Sequence, residues 1–108
     1  MRTFAGFALI AAALAVVPGM GEAADPKAGR TKAAACAVCH GQAGISVLPD
    51  APNLAGQPAI YLEQQLRNYR SGKRQHEVMS VVARPLSDAD IEDLAAWYSA
   101  IRIEATPP

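Results

Sequence analysis

The sequence predicts a small all-α protein in which three helices are joined by two long irregular segments. Three stretches carry helix-start signals followed by good helix formers or by a 3.6-residue apolar period. The segments between them are punctuated by Gly, Pro, Asn and Asp and keep neither a helical nor a two-residue period. There is no convincing strand, no repeat and no low-complexity tract.

The chain has 108 residues, enough for one domain, and it opens on a leader rather than a structural element. Arg2 and the amino terminus supply a weak positive charge, and Phe4 to Val17 is uninterrupted Phe, Ala, Gly, Leu, Ile and Val. Pro18-Gly19 break the run, and the small residues Gly21 and Ala23 precede the expected cut after Ala23. A cut after Ala24 is disfavoured because Glu22 would occupy a position that prefers a small side chain. The alternative is a retained anchor, but the run falls short of the ~20 residues of a spanning helix. Residues 1–23 are therefore expected as a cleaved signal peptide and 24–108 as the mature domain. The mature protein is expected in the periplasm, without stable membrane insertion.

Asp25-Pro26 pairs an N-cap with a proline at the first helical position. Lys27 to Cys39 then reads as one helix rich in Ala, Lys and Arg. Gly29 inside it costs up to ~1 kcal/mol relative to Ala, which close approach of another helix would justify. Gly41 suits a left-handed helix end. Gln42 to Gln57, with Gly44, Pro49, Asp50, Pro52, Asn53 and Gly56, is the first long loop, and a loop of that length packs on something. Pro58 opens a second helix to about Ser71, with Leu62, Leu66 and Tyr69 on one face, Tyr61 beside it and Gly72 past its end. Lys73 to Leu86 is the second irregular segment. Ser87 caps the last helix, with Asp90 as its capping-box partner. Ile91, Leu94, Ala95, Tyr98 and Ile101 or Arg102 form its buried stripe, with Trp97 alongside.

The formal net charge is 0, and it stays there when Arg2 and Glu22 leave with the signal peptide. The charges are segregated: Arg67, Arg70, Lys73, Arg74 and Arg84 form a basic middle, and Asp88, Asp90, Glu92 and Asp93 open the last helix. Those carboxylates complement the helix dipole, and the basic group reads as a solvated face. A neutral, exported chain with 6% aromatic residues lacks the footprint of a nucleic-acid binder.

The chemistry is concentrated in Cys36-Ala37-Val38-Cys39-His40. Two thiols one helical turn apart can each add to a vinyl group on one porphyrin edge, and the next residue sets an imidazole under the iron. The competing reading is a disulfide or redox dithiol with His40 as a thiolate-stabilising neighbour. That reading lacks the βαβ context of thioredoxin-like motifs. A domain this small buries a marginal core and needs a staple. The chain's 2 cysteines both lie in the motif, where a disulfide would close only a tiny loop. A buried haem supplies the apolar body that the long loops require.

The iron's other axial position has candidates as well. Of the 3 methionines, Met1 and Met20 leave with the leader, so Met79 alone remains in the mature chain. His76 is the rival and reads as a surface histidine between Gln75 and Glu77; an open iron is the third option. His/Met ligation raises the potential and fills both axial sites. The expected activity is then outer-sphere transfer of one electron, without catalysis. Beside its reading as a solvated face, the basic middle has a second one, neutralising haem propionates or meeting an acidic partner.

In addition to Cys36–Gly41, the chain carries Pro52-Asn53-Leu54-Ala55-Gly56-Gln57, Tyr61-Leu62, Gln65-Leu66, Gly72-Lys73-Arg74 and Met79. Leu86-Ser87-Asp88, Asp90-Ile91 and Asp93-Leu94-Ala95-Ala96-Trp97-Tyr98 follow. In motif order and spacing it resembles class I cytochromes c, among them small bacterial proteins of the c4 and c553 kind. The resemblance spans the mature chain and implies the small cytochrome c fold around one covalent haem c. It assigns the thioethers to Cys36 and Cys39, the proximal ligand to His40 and the distal ligand to Met79. Pro52 matches the proline whose carbonyl accepts the proximal imidazole's Nδ–H. Gly29 and Trp97/Tyr98 match the crossing of first and last helices. One CxxCH implies a monohaem version of the two-domain c4 type, and Val78 and Val82 stand where relatives often have further methionines. Tyr61, Tyr69, Arg70 and Arg74 are candidates for the propionates. The resemblance implies a periplasmic electron carrier with redox protein partners; a haem subunit docked on a dehydrogenase or reductase is the alternative.

Overall fold

The computed structural model describes Gly6, residues 8–15 and residues 23–108. Most of the expected signal peptide lies outside the described residues. Gly6 and residues 8–15 take no helix or strand and are exposed. No helix among the described residues is long and apolar enough to cross a membrane.

The elements are α1 (Pro26–Lys32), α2 (Ala37–His40), α3 (Ala59–Ser71), α4 (Met79–Ala83) and α5 (Asp88–Ala100). Asp25 caps α1 as expected: its backbone is extended, and its carboxylate accepts the Lys27 N–H at 2.9 Å. The single helix expected over Lys27–Cys39 is instead divided by a turn at Ala33–Cys36. There the Ala34 and Cys36 N–H groups bond three residues back, to the Thr31 and Ala33 carbonyls at 3.3 and 2.9 Å. Packing gives the reason. Three-residue winding puts i and i+3 on the same side, and Ala33 and Cys36 both face the core of Leu62, Leu94, Ala95 and Tyr98.

Pro58 stands one residue outside α3, its ψ of 134° still extended, and Gly72 closes the helix in the left-handed region at φ 85°. Of the expected apolar face, Leu62 is buried and Leu66 and Tyr69 are half-buried. The second irregular segment is not helix-free, because α4 lies inside it. Its Ser80 and Val82 N–H groups bond to the His76 and Val78 carbonyls, both at 3.0 Å. The sequence reading missed it because one turn of MSVVA has too little period to detect and a weak helix propensity.

α5 is as expected. Ser87 and Asp90 form the full capping box, with both bonds at 3.0 Å, and Ile91, Leu94, Ala95 and Tyr98 are buried. α1 and α3 both pack on α5, and α4 packs on α3. Gly29 is the contact that lets α1 reach α5: a Cβ there would overlap the Asp93 carbonyl and stand 2.8 Å from Trp97 Cβ.

The acidic start of α5 does more than complement a dipole. Lys32 Nζ bridges Asp90 and Asp93 at 3.0 and 2.6 Å, and the Asp25 N–H donates to Asp93 at 2.8 Å. Arg70 donates to Asp88 at 2.7 Å and to the Leu86 carbonyl at 3.0 Å. Arg67 joins Glu63 at 3.0 Å to Glu92 at 3.2 Å. Part of the basic middle is thus an α3–α5 clasp and not a solvated face.

These contacts carry a pH dependence. The bond from the Ser87 backbone, and then Lys32, hold the Asp90 carboxyl below its ordinary range; the Asp25 N–H and Lys32 do the same for Asp93. Arg70 lowers Asp88. A lowered carboxyl adds stability above its unfolded pKa, and that stability is lost as pH falls through the folded value. The melting temperature should therefore be flat from neutral pH to about 5 and fall below about 4, the ordinary Asp range. Asp90→Asn with Asp93→Asn should lower the neutral plateau and flatten the acid limb. Thermal melts across pH check this, and an unchanged acid limb in the double variant would refute it.

Candidate haem site

The site is built at the end of α2 and closed by the loop that follows. The His40 N–H bonds to the Cys36 carbonyl at 2.9 Å, so the two cysteines and the histidine occupy one turn. Gly41 then takes φ 77° with ψ 156°, a conformation open to glycine, and not the left-handed helix end expected. This turns the chain sharply away, and a Cβ at Gly41 would overlap the Ile45 carbonyl.

The loop over Gln42–Gln57 is folded back on itself. The Leu54 and Ala55 N–H groups both reach the Gly44 carbonyl, at 2.7 and 3.0 Å. The Ser46 N–H donates to Asn53 Oδ1 at 2.7 Å, and the Val47 N–H to the Cys39 carbonyl at 3.2 Å. The Gly56 N–H donates to the Tyr98 carbonyl at 2.9 Å, tying the loop's far end to α5. Nothing in the sequence reading singled out Ser46. Its hydroxyl donates to the Leu48 carbonyl at 2.7 Å and accepts the Leu48 N–H at 3.1 Å, a local bond typical of serine in turns.

These bonds set the Pro52 carbonyl 2.8 Å from His40 Nδ1. A carbonyl can only accept, so Nδ1 carries a proton, and in the neutral ring Nε2 is the nitrogen with the lone pair. The ring is buried, at 7% exposure. Cys36 and Cys39 are not joined in a disulfide and are both half-buried. Burial raises the Cys36 pKa.

Met79 is the first residue of α4 and is half-buried. It reaches the rest of the domain through α3, and α2 and α4 are not in contact. The structure thus joins His40 to Pro52 directly and keeps Met79 on a separate wall. His76 is exposed, as expected of a surface histidine, and its ring also bonds to the backbone at the start of α4. Among the propionate candidates, Arg70 is held by Leu86 and Asp88. Arg74 donates to Gln65 at 2.8 Å and lies over the Tyr69 ring, 4.7 Å from its centroid.

A family model described as cytochrome c matches residues 26–100. The chain belongs to the cytochrome c family. Cytochrome c-554(548) of Halomonas halodenitrificans is 45% identical over 80 residues, covering 71% of this chain and 96% of that one. The crystal structure of reduced recombinant cytochrome c4 from Pseudomonas stutzeri superposes with a TM-score of 0.70 at 39% identity. It matches 74% of this chain and 47% of its own. The thiosulfate dehydrogenase electron acceptor of Thiomonas intermedia (strain K12) is 37% identical over 108 residues, 99% of this chain and 48% of that protein. The chain therefore spans nearly all of the first relative and about half of the other two.

As a class I c-type cytochrome, this chain carries covalently bound haem c with its iron and works in electron transport. The residues present suit that group. Among the described residues the buried hydrophobic core is small and half alanine: Ala33, Ala55, Ala83 and Ala95 with Leu62, Ile91, Leu94 and Tyr98. By contrast Ile45, Val47, Leu48, Ile60, Val78 and Val81 are 42% to 80% exposed, so the core the chain builds for itself leaves much apolar surface uncovered. Among the described residues the Tyr98 hydroxyl is buried without a hydrogen-bond partner, in the cluster against which Cys36 packs. A buried hydroxyl left so is the mark of a core completed by another group.

Proposed function

We propose that the mature cytochrome is a periplasmic one-electron carrier, exported by residues 1–23 and folded from residues 24–108. Cys36 and Cys39 hold the haem as thioethers, His40 is the proximal ligand and Met79 the distal one. Bound haem c supplies a one-electron ferric/ferrous couple. The chain's own residues set its properties. Pro52 fixes the His40 tautomer and orientation and makes Nε2 a better donor to iron. The Met79 thioether favours ferrous iron and raises the potential. With His40 and Met79 both on the iron, no position would be left for a substrate, which suits electron transfer without catalysis.

The observation that carries this reading is the 2.8 Å bond between His40 Nδ1 and the Pro52 carbonyl. It leaves Nε2 as the free donor one residue from Cys39. Expression with c-type maturation followed by acid-acetone extraction tests the attachment. The haem should stay with the polypeptide, and an extractable or absent haem would overturn the thioether assignment.

A second reading has one observation in its favour. The Thiomonas intermedia relative is named as an electron acceptor of thiosulfate dehydrogenase, and this chain aligns with it over 99% of its length. The same haem chemistry would serve a subunit docked stably on a dehydrogenase or reductase. A free carrier purifies alone from the native periplasm, whereas a subunit co-purifies with its enzyme.

A further inference from the structure

α4 has little to hold it in place by itself. Five residues make barely more than one turn, two of them are valines, and the residue at its cap position, Val78, makes no side-chain bond to it. An isolated helix that short is unstable in water. What fixes its start is His76. The ring Nδ1 accepts the backbone N–H groups of Val78 and Met79, at 3.1 and 3.2 Å. The His76 N–H donates to Ser80 Oγ at 2.9 Å, and its carbonyl accepts the Ser80 N–H at 3.0 Å. His76 and Ser80 thus satisfy each other's ends of the turn in the manner of a capping box. Because both of its partners are donors, Nδ1 is the unprotonated nitrogen.

The ring is held in turn by α3. Tyr69 meets it edge-on, with centroids 6.5 Å apart and planes at 74°. Arg74 lies over Tyr69 at 4.7 Å and donates to Gln65, also on α3. The backbone of residue 79 is therefore anchored to a long helix through His76 and does not depend on the short turn alone.

We infer that His76 is a positioning residue for the distal ligand: its Nδ1 cap fixes where Met79 presents its sulfur, and so how firmly the thioether holds the iron. The inference rests on the reading of Met79 as that ligand. A loosened cap frees Met79 to leave the iron more readily, so an exogenous ligand competes better for the vacated position.

The test is a titration of the ferric holoprotein with imidazole, following loss of the red Met-to-iron charge-transfer band. His76→Ala keeps the band in plain buffer, but imidazole displaces it at about fivefold lower concentration, the effect of losing an ordinary cap. His76→Asn restores the wild-type midpoint to within about twofold, because its Oδ1 can accept the same N–H groups. A purely structural role would lower the melting temperature of His76→Ala and leave the imidazole midpoint unmoved; that result overturns the inference. So does a His76→Asn variant indistinguishable from His76→Ala. The ligand reading is judged separately by Met79→Ala in plain buffer. If that variant kept the band, Met79 would not be the ligand and both statements would fall, whatever the His76 series showed.

Discussion

Gly29→Ala is expected to lower the melting temperature of the holoprotein by ~12 °C, from a net cost of about 2 kcal/mol at roughly 4–8 °C per kcal/mol in a domain this small. Two effects oppose each other. Alanine in place of glycine favours α1 by up to ~1 kcal/mol through helix propensity alone. Against that, the new Cβ overlaps the Asp93 carbonyl and stands 2.8 Å from Trp97 Cβ. The first obstacle is backbone and the second is the root of a side chain, so neither can swing aside. Relief requires α1 to move off α5, which loosens Lys32 from Asp90 and Asp93 and the Asp25 N–H from Asp93. Arg30 would lose its place over Trp97, 5.6 Å from the ring centroid. Overpacking is the larger effect. Thermal unfolding followed by far-ultraviolet circular dichroism measures it, and an unchanged or raised midpoint would refute the close-approach account. Gly29→Val should be worse than Gly29→Ala, since it adds bulk to the same collision.

The legibility of such features follows from where their causes lie. Asp25-Pro26, Ser87 with Asp90, and Gly72 act within one turn of their own position, and each reads correctly from sequence. The stripe Ile91, Leu94, Ala95 and Tyr98 is also legible, because a regular helix projects a periodic pattern onto the chain. Gly29 could be flagged only as an anomaly, a poor helix former in a good helix, with its partners unknown. Where contacts between distant segments decide the outcome, the sequence reading falls short. The break at Ala33–Cys36 depends on a core assembled by α3 and α5. Lys32 looked like any helix lysine until α5 arrived beside it. His76 is exposed, as its polar neighbours Gln75 and Glu77 suggested, but nothing local showed that its ring turns back on the backbone two and three residues ahead. A histidine followed at the fourth position by serine was the one available cue. The site's residue types were legible because the attachment chemistry demands adjacent thiols and imidazole. The bond from His40 to Pro52 crosses the loop, and only the resemblance pointed to it.

Met79→Ala should abolish the Met-to-iron charge-transfer band and lower the reduction potential by a sizeable part of the roughly 0.8 V range that axial ligands command. With residues 1–23 removed, as proposed, Met79 would be the one methionine left, so no neighbour could replace its soft, ferrous-favouring donation. His76 is the one other imidazole in the chain besides His40, and its geometry argues against service as a ligand. Its Nδ1 is occupied by the Val78 and Met79 N–H groups, and its ring edge lies against Tyr69. Swinging it onto the iron would break the cap that starts α4 and the Tyr69 contact together. In Met79→Ala the iron should therefore take up water or added ligand, and imidazole should bind without having to displace a protein group. Optical spectra of both oxidation states and a potentiometric titration report the outcome. A retained band with an unshifted potential would remove Met79 from the iron. A bis-histidine spectrum in the variant would instead show that the His76 cap is weaker than a bond to iron. The first result bears on the ligand and the second on the strength of its mooring, so one variant separates the chemistry of the iron from the mechanics of the turn that serves it.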